Sequence, residues 1–456
     1  MSISHLSKEN LIFKTPVNDK IYIREQKGVF QKVRRTLSTF LMVLFVFIPF
    51  IQYKGIQAVF FDLQQQKLHV FSFTLYPQDL YIVSLGFILS AFLLFYVTQF
   101  FGRIWCGFTC PQTIWMLIFN WVERRVEGTH NQSKSLDKQP LSLQKFIKKL
   151  TKHLIWSVIS LFTSLVFVSY FVTVDQLYLP FFTFQTSTLI VFWVVFFTVC
   201  TYINAGWIRE KMCLHMCPYS RIQSAMFDQS TKLVSYDQTR GENRGKRKLS
   251  QLKNAEMGDC VDCNLCVQVC PVGIDIRNGL QYECINCGLC VDACDMTMKK
   301  FNYQKGLISF TSEQKQKHGW QRHLGYGVFV GITILMMLVW VKSWQSYEVS
   351  IIRDRQALYR VNHKGEIENT FILKIRNKSN QMGAYQIQVD GLVSAKILDH
   401  SIITIQPGEL KTSPLVVMVD QPPIKNKNNI SFNIINLEDN SSLIKTTSFY
   451  SNNIND

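Results

Sequence analysis

No glycine-rich Walker-type loop that would cradle a phosphate occurs in the sequence, and no dinucleotide fingerprint follows a predicted strand. Gly325-Tyr326-Gly327 falls inside a hydrophobic run and does not substitute for one. A resident nicotinamide or flavin is therefore not expected, and any electron donor is external. Cysteine stops at Cys294, so the C-terminal segment has neither a disulfide nor a thiolate metal site available. Acidic residues are scarce: 32 Asp and Glu against 49 Lys and Arg give a formal charge of +17. A basic chain suggests nucleic acid, but here the basic residues are unevenly placed. They crowd into 1–36, 103–153 and 208–323, while the two loops between those segments hold only Lys54 and Lys67.

Charge is also missing from five long runs. With 47% hydrophobic residues and 34 Phe, the chain is rich for a water-soluble fold. Uncharged runs near 37–53, 80–102, 154–174, 188–207 and 324–341 are long enough to cross a bilayer. The first lies too deep in the chain, and lacks the small-residue cleavage site, to be a removed signal peptide, so it reads as a retained helix. The positive-inside rule then places the N-terminus and the basic segments in the cytoplasm of a bacterial inner membrane, and the C-terminus outside.

The expected architecture is a polytopic α-helical membrane protein with five spans, a cytoplasmic two-cluster ferredoxin-like domain and a C-terminal immunoglobulin-like β-sandwich. Residues 1–36 form a basic arm, 37–207 four transmembrane helices with a cytoplasmic loop at 103–153, and 208–323 the cytoplasmic segment, its ferredoxin-like part at about 250–305. The fifth helix covers 324–344, and 345–456 is the periplasmic sandwich. That last reading rests on short Val, Ile, Thr, Tyr and Phe-rich segments such as 369–376, 385–389, 402–405, 415–419 and 430–435, separated by turn residues. In the 103–153 loop, a Ser, Gln and Lys-rich stretch at 132–139 reads as flexible and solvated.

Eight cysteines stand in a near-repeat. Cys260, Cys263, Cys266 and Cys270, then Cys284, Cys287, Cys290 and Cys294, each follow C-x2-C-x2-C-x3-C. In two-cluster ferredoxins the fourth cysteine of each run crosses to the other cluster. This assigns Cys260, Cys263, Cys266 and Cys294 to one [4Fe-4S] cluster and Cys284, Cys287, Cys290 and Cys270 to a second. Zinc favours paired C-x2-C units with a longer spacer, and a cytoplasmic setting disfavours disulfides. Pro271 follows the first run as the pattern expects, whereas Asp295 follows the second.

Two further pairs, Cys106 with Cys110 and Cys213 with Cys217, each read C-x3-C-P just after a span. Four apart on a helix, the thiols of a pair share a face, and the proline is expected to end or kink that helix. Soft thiolates suit Cu(I), and a dithiol can deliver electrons while forming a disulfide. Copper, a cluster and a redox disulfide all remain open for these four residues. His215 and Met216 are set aside as packing or surface, and Cys200, inside the fourth span, reads as a small buried apolar residue. Gly327 and Gly331 make a G-x3-G that reads either as close helix packing or as a homodimer contact.

Residues 106–115 (Cys-Gly-Phe-Thr-Cys-Pro-Gln-Thr-Ile-Trp), 217–228, 235–242 and 258–281 closely resemble the cytochrome c oxidase accessory protein family, CcoG, also called FixG or RdxA. The resemblance covers nearly the whole chain. It implies a cupric reductase, turning Cu(II) into Cu(I) for the copper centre of a cbb3-type oxidase, with Cys106, Cys110, Cys213 and Cys217 binding or reducing the metal. It also implies oxidase assembly factors or a copper chaperone as partners, beside membrane lipid and an external electron donor, and no nucleic acid. Two competing readings stand next to it: a quinol dehydrogenase resembling the NapH and NosR polyferredoxins, and a non-catalytic assembly scaffold or redox sensor.

Overall fold

A computed structural model describes residues 20–53, 55–249, 257–312, 319–354, 357–379, 381–392, 394–398, 402–420 and 426–451. The chain divides into two compact units, Met1–Met337 and Leu338–Asp456.

In the described residues, five helices are long and apolar enough to cross a membrane: Val29–Phe50, Pro77–Phe101, Leu143–Val168, Thr188–Ile208 and Trp320–Ser343. The first and third begin earlier than their uncharged runs, because local capping extends the helix past the apolar stretch. At the first, the backbone N–H groups of Phe30 and Gln31 donate to the Asp292 carboxylate at 3.3 and 2.9 Å. At the third, Ser142 Oγ accepts from the Lys145 N–H at 3.2 Å, and Lys149 and Lys152 pair with Glu127 at 2.8 and 2.7 Å. The expected arm is therefore helical from Val29 onward. Its first 19 residues lie outside the described residues.

The third and fourth spans join through apolar contacts of Leu165, Val168 and Val194, and the Ser164 hydroxyl donates to the Val194 carbonyl at 2.7 Å. The fifth span meets the second, with Phe329 stacked on Phe92 at 3.7 Å. Among the described residues a Cβ at Gly327 or Gly331 would meet nothing within 4 Å, so no close helix packing there uses them. Cys200 is exposed, not buried: the described residues leave this apolar thiol uncovered on its span.

The loop at 103–153 is not a solvated linker. It holds helices Pro111–Glu127 and His130–Lys138. The second covers the stretch read as flexible. It starts at a Thr129–Gln132 capping box, buries Leu136, and anchors Ser133, whose hydroxyl donates to Glu127 at 2.6 Å. Glu123 pairs with Arg209 at 2.8 Å and Lys20 at 2.6 Å, and Glu127 with Lys152 at 2.7 Å. Burial alone would raise the Glu123 pKa, yet Arg209, Lys20 and Lys152 bring it down to about 2. Between the first two spans lies a three-stranded meander, Val59–Asp62, Lys67–Val70 and Phe73–Leu75, that no sequence pattern announced.

The cysteine-rich segment folds around helix Leu289–Lys300 and the short helix Leu265–Gln268. A two-stranded ribbon, Leu233–Tyr236 with Ile308–Thr311, closes it, so the folded segment begins upstream of residue 250. Asp295 lies inside the longer helix, where proline would break the backbone ladder. Its carboxylate instead accepts from the Gly306 N–H at 2.9 Å.

The second unit is a sandwich of two antiparallel sheets. One orders Ala395–Ile397, Leu410–Val419, Ile367–Asn377 and Tyr347–Arg353, with Arg360–Val361 also on Ile367–Asn377. The other orders Ile402–Ile405, Gly383–Asp390, Lys427–Asn436 and Ser442–Tyr450. Along Ile367–Asn377 every second residue is buried, the period of a strand with one face on a core. Phe371 and Phe432 meet edge to face at 5.3 Å in its centre.

Candidate iron-sulfur and thiol site

The fold gathers the eight cysteines into two groups of four, each around a small apolar cavity. Cys260, Cys263, Cys266 and Cys294 line the first, with Tyr236, Leu307 and Ile308. Cys270, Cys284, Cys287 and Cys290 line the second, with Val272, Ile274 and Ile285, and Cys266 reaches this cavity too. In each run the fourth cysteine thus sits with the other run's first three.

Burial pushes the thiols of Cys266, Cys270 and Cys294 up to about 12 and that of Cys284 to about 11, with neighbouring sulfurs of the same group adding to the shift. Among the described residues, no three Cys, His, Asp or Glu side chains close tightly enough to hold a single ion. Four thiols set around an apolar cavity fit a polynuclear iron-sulfur centre better than the compact four-thiolate cage of zinc.

The remaining two pairs form a third group of thiols. The second span ends at Phe101, Gly102 turns the chain at φ 61°, and Cys106 follows on the short helix Ile104–Phe108. Cys110 is not on that helix: it caps the next one, Pro111–Glu127, with Pro111 at the first helical position. The second motif repeats this design. Cys213 lies in a π-helical turn, Met212–Met216, and Cys217 caps Pro218–Met226, with Pro218 first. The expected single helix per pair is therefore corrected. Proline has no N–H to lose at the first turn and starts a helix instead of breaking one.

Ionisation of Cys106 is opposed by burial, then by Cys110 and, after the favourable Arg103, by Cys213. Cys213 in turn feels Cys110 and Cys217, and burial carries both Cys106 and Cys213 to about 12. Cys106 is therefore within electrostatic reach of Cys110 and Cys213, and Cys213 of Cys110 and Cys217. At Cys110 the backbone amides of Thr113 and Gln112, at the N-terminus of the helix it caps, counter part of the burial effect. His215 and Met216, between Cys213 and Cys217, are exposed.

Several residues that the sequence did not single out complete this site. Gln223 is fully buried and accepts from the Cys106 thiol at 3.3 Å, while its amide nitrogen has no hydrogen-bond partner among the described residues. Arg103, 2% exposed, donates to the Ser220 carbonyl at 2.5 Å and lies over the Tyr282 ring at 4.5 Å. Its charge favours the thiolates of Cys106, Cys213 and Cys284. Gly107 rests on the second cluster loop: a Cβ there would stand 2.7 Å from the Ile285 carbonyl oxygen and 3.0 Å from Cys287 Cα. Asn286 adds a tie, donating to the Phe101 carbonyl at 3.2 Å. The thiol group and the second cysteine cage are thus in direct backbone contact.

Residues 208–313 match the 4Fe-4S dicluster domain. Residues 337–452 match the "IG-like fold at C-terminal of FixG". The nitrogen fixation protein FixG of Rhizobium meliloti is 31% identical over 453 residues, covering 88% of this chain and 86% of its own. The chain belongs to the FixG/RdxA family. Protein RdxB of Cereibacter sphaeroides is 34% identical, covering 79% of this chain and 80% of its own length, and RdxA of the same organism is 34% identical with 81% and 82% covered. As a FixG/RdxA protein with a dicluster domain and five membrane-length helices, the chain is a membrane iron-sulfur electron-transfer protein.

Proposed function

We propose that this protein is a cupric reductase of the bacterial inner membrane that supplies Cu(I) for the copper centre of a cbb3-type oxidase. The observation that carries this reading is the gathering of Cys106, Cys110, Cys213 and Cys217 into one group whose Gly107 rests on Cys287. Two [4Fe-4S] clusters, held by Cys260, Cys263, Cys266 and Cys294 and by Cys270, Cys284, Cys287 and Cys290, supply one-electron storage between an external donor and that group.

Copper is the substrate, and Cu(II) takes one electron to become Cu(I). Binding at these thiols releases protons to water, because burial pushes Cys106 and Cys213 up to about 12. Sulfur ligands favour the softer, reduced product. Arg103 lessens the mutual repulsion of the thiolates, and Gln223 fixes the Cys106 side chain. In this reading the cysteine cages face the cytoplasm and the sandwich lies outside, where it meets an oxidase assembly factor or a copper chaperone.

The test is an anaerobic assay of purified, pre-reduced protein, with Cu(I) read by a chelator's absorbance. Wild type should reduce Cu(II), and a Cys106→Ser plus Cys213→Ser variant should fall to background. Equal reduction by both, or quinol oxidation with no copper reduction, would overturn the proposal.

A further inference from the structure

We propose that Arg34 is the counter-charge of the second cysteine cage and holds up the reduction potential of the cluster carried by Cys270, Cys284, Cys287 and Cys290. This rests on the cluster-binding part of the function proposed above and is independent of the copper step. Arg34 sits one turn beyond the start of the first span and is 3% exposed. Its guanidinium forms no hydrogen bond or ion pair with a described residue, and its Nε is buried without a partner. The groups whose charge reaches it are Cys287 and Cys270, with Arg35 opposing, and Arg35 is itself engaged with Glu25 at 2.6 Å.

Its position is fixed by the helix start. The Phe30 and Gln31 N–H groups hold Asp292, on the helix that carries Cys290, and the Phe30 ring fills the space over Gly288, where a Cβ would stand 2.6 Å from it. One turn later Arg34 lines a cavity together with Pro271 and Leu289, the neighbours in sequence of Cys270 and Cys290.

A buried guanidinium without an anion is costly. The anion this position calls for is a cluster held by the cysteines beside it. A thiolate-bound cluster there would carry negative charge and would gain one more on reduction. In a low-dielectric surrounding, an unneutralised cation therefore favours the reduced state. The first cage offers a contrast: its Arg277 is clamped by Asp262 and Asp275, both at 2.6 Å, so its charge is largely cancelled.

The experiment is a mediator-poised redox titration of purified, full-length protein without copper. Each cluster is followed by electron paramagnetic resonance, and the signal lost in Cys284→Ser marks the second cage. In Arg34→Gln, the reduced-to-oxidised ratio of that cluster at the wild-type midpoint should fall about tenfold, about 59 mV for one electron, with the first cluster unmoved. Arg34→Lys, which keeps the charge, should stay within about threefold of wild type. No shift in Arg34→Gln, equal shifts of both clusters, or a fall in Arg34→Lys as large as in Arg34→Gln would overturn the proposal. Should Arg34→Gln not load its second cluster, Arg34→Lys decides: an unmoved midpoint supports the assignment, and a tenfold fall defeats it. A failed copper assay would leave this result untouched.

Discussion

The two cysteine cages have the same spacing and opposite surroundings. The first meets solvent at Cys263, carries Asp295 beside Cys294, and has Arg277 held between two carboxylates. The second lies between the first span and the segment after the second, with Arg34 and Arg103 buried beside it and Gly107 against Cys287. Sequence spacing fixes which metal centre can form, whereas the elements packed on a cage decide what it connects to. By that measure the second cage is the one coupled to the membrane-edge thiols.

The sharpest way to break this comparison is to remove ligands from one cage at a time. Cys260→Ser with Cys263→Ser, and separately Cys284→Ser with Cys287→Ser, should each remove about half the iron and sulfide. Only the second double variant should also speed alkylation of Cys106, because it loosens the loop on which Gly107 rests. Equal alkylation rates in the two variants would remove the asymmetry.

A smaller effect concerns the charges on the second cage's side of the protein. Glu123, with its pKa lowered to about 2 by Arg209, Lys20 and Lys152 against the effect of burial, is a depressed carboxylate. Its contribution to stability is therefore complete above its ordinary pKa of 4.5 and is lost as pH falls from there toward 2. Glu123→Gln leaves Arg209 and Lys152 buried with less compensation and should cost ~3–5 kcal/mol at pH 7. Thermal melting of the detergent-solubilised protein from pH 7 to pH 3 checks both: a falling curve for wild type, and a lower, flatter one for the variant.

Much of this architecture was legible in the sequence for simple reasons. A span must be apolar for about 20 residues, and a strand with one buried face alternates, so the five helices and segments such as Ile367–Asn377 declare themselves. The eight clustered cysteines were equally plain. What the sequence hid depends on tertiary neighbours. Arg34 and Arg103 look like ordinary positive-inside residues until their burial is seen, and Gln223 and Gly107 belong to no periodic pattern. The stretch at 132–139 is polar enough to pass for linker, although Thr129 and Gln132 spell a capping box. The C-x3-C-P motifs were visible, but proline was read as ending a helix when it begins one, and the extra cue was its place directly after a capping cysteine.

The proposed copper chemistry requires Cys106, Cys110, Cys213 and Cys217 to receive copper beside the second cage. Copper K-edge X-ray absorption after anaerobic addition of Cu(II) to the pre-reduced protein tests this most directly. A Cu(I) edge with sulfur in the first coordination shell, lost in Cys106→Ser plus Cys213→Ser, is the predicted result. A Cu(II) edge with only nitrogen and oxygen neighbours in the wild-type protein would contradict it.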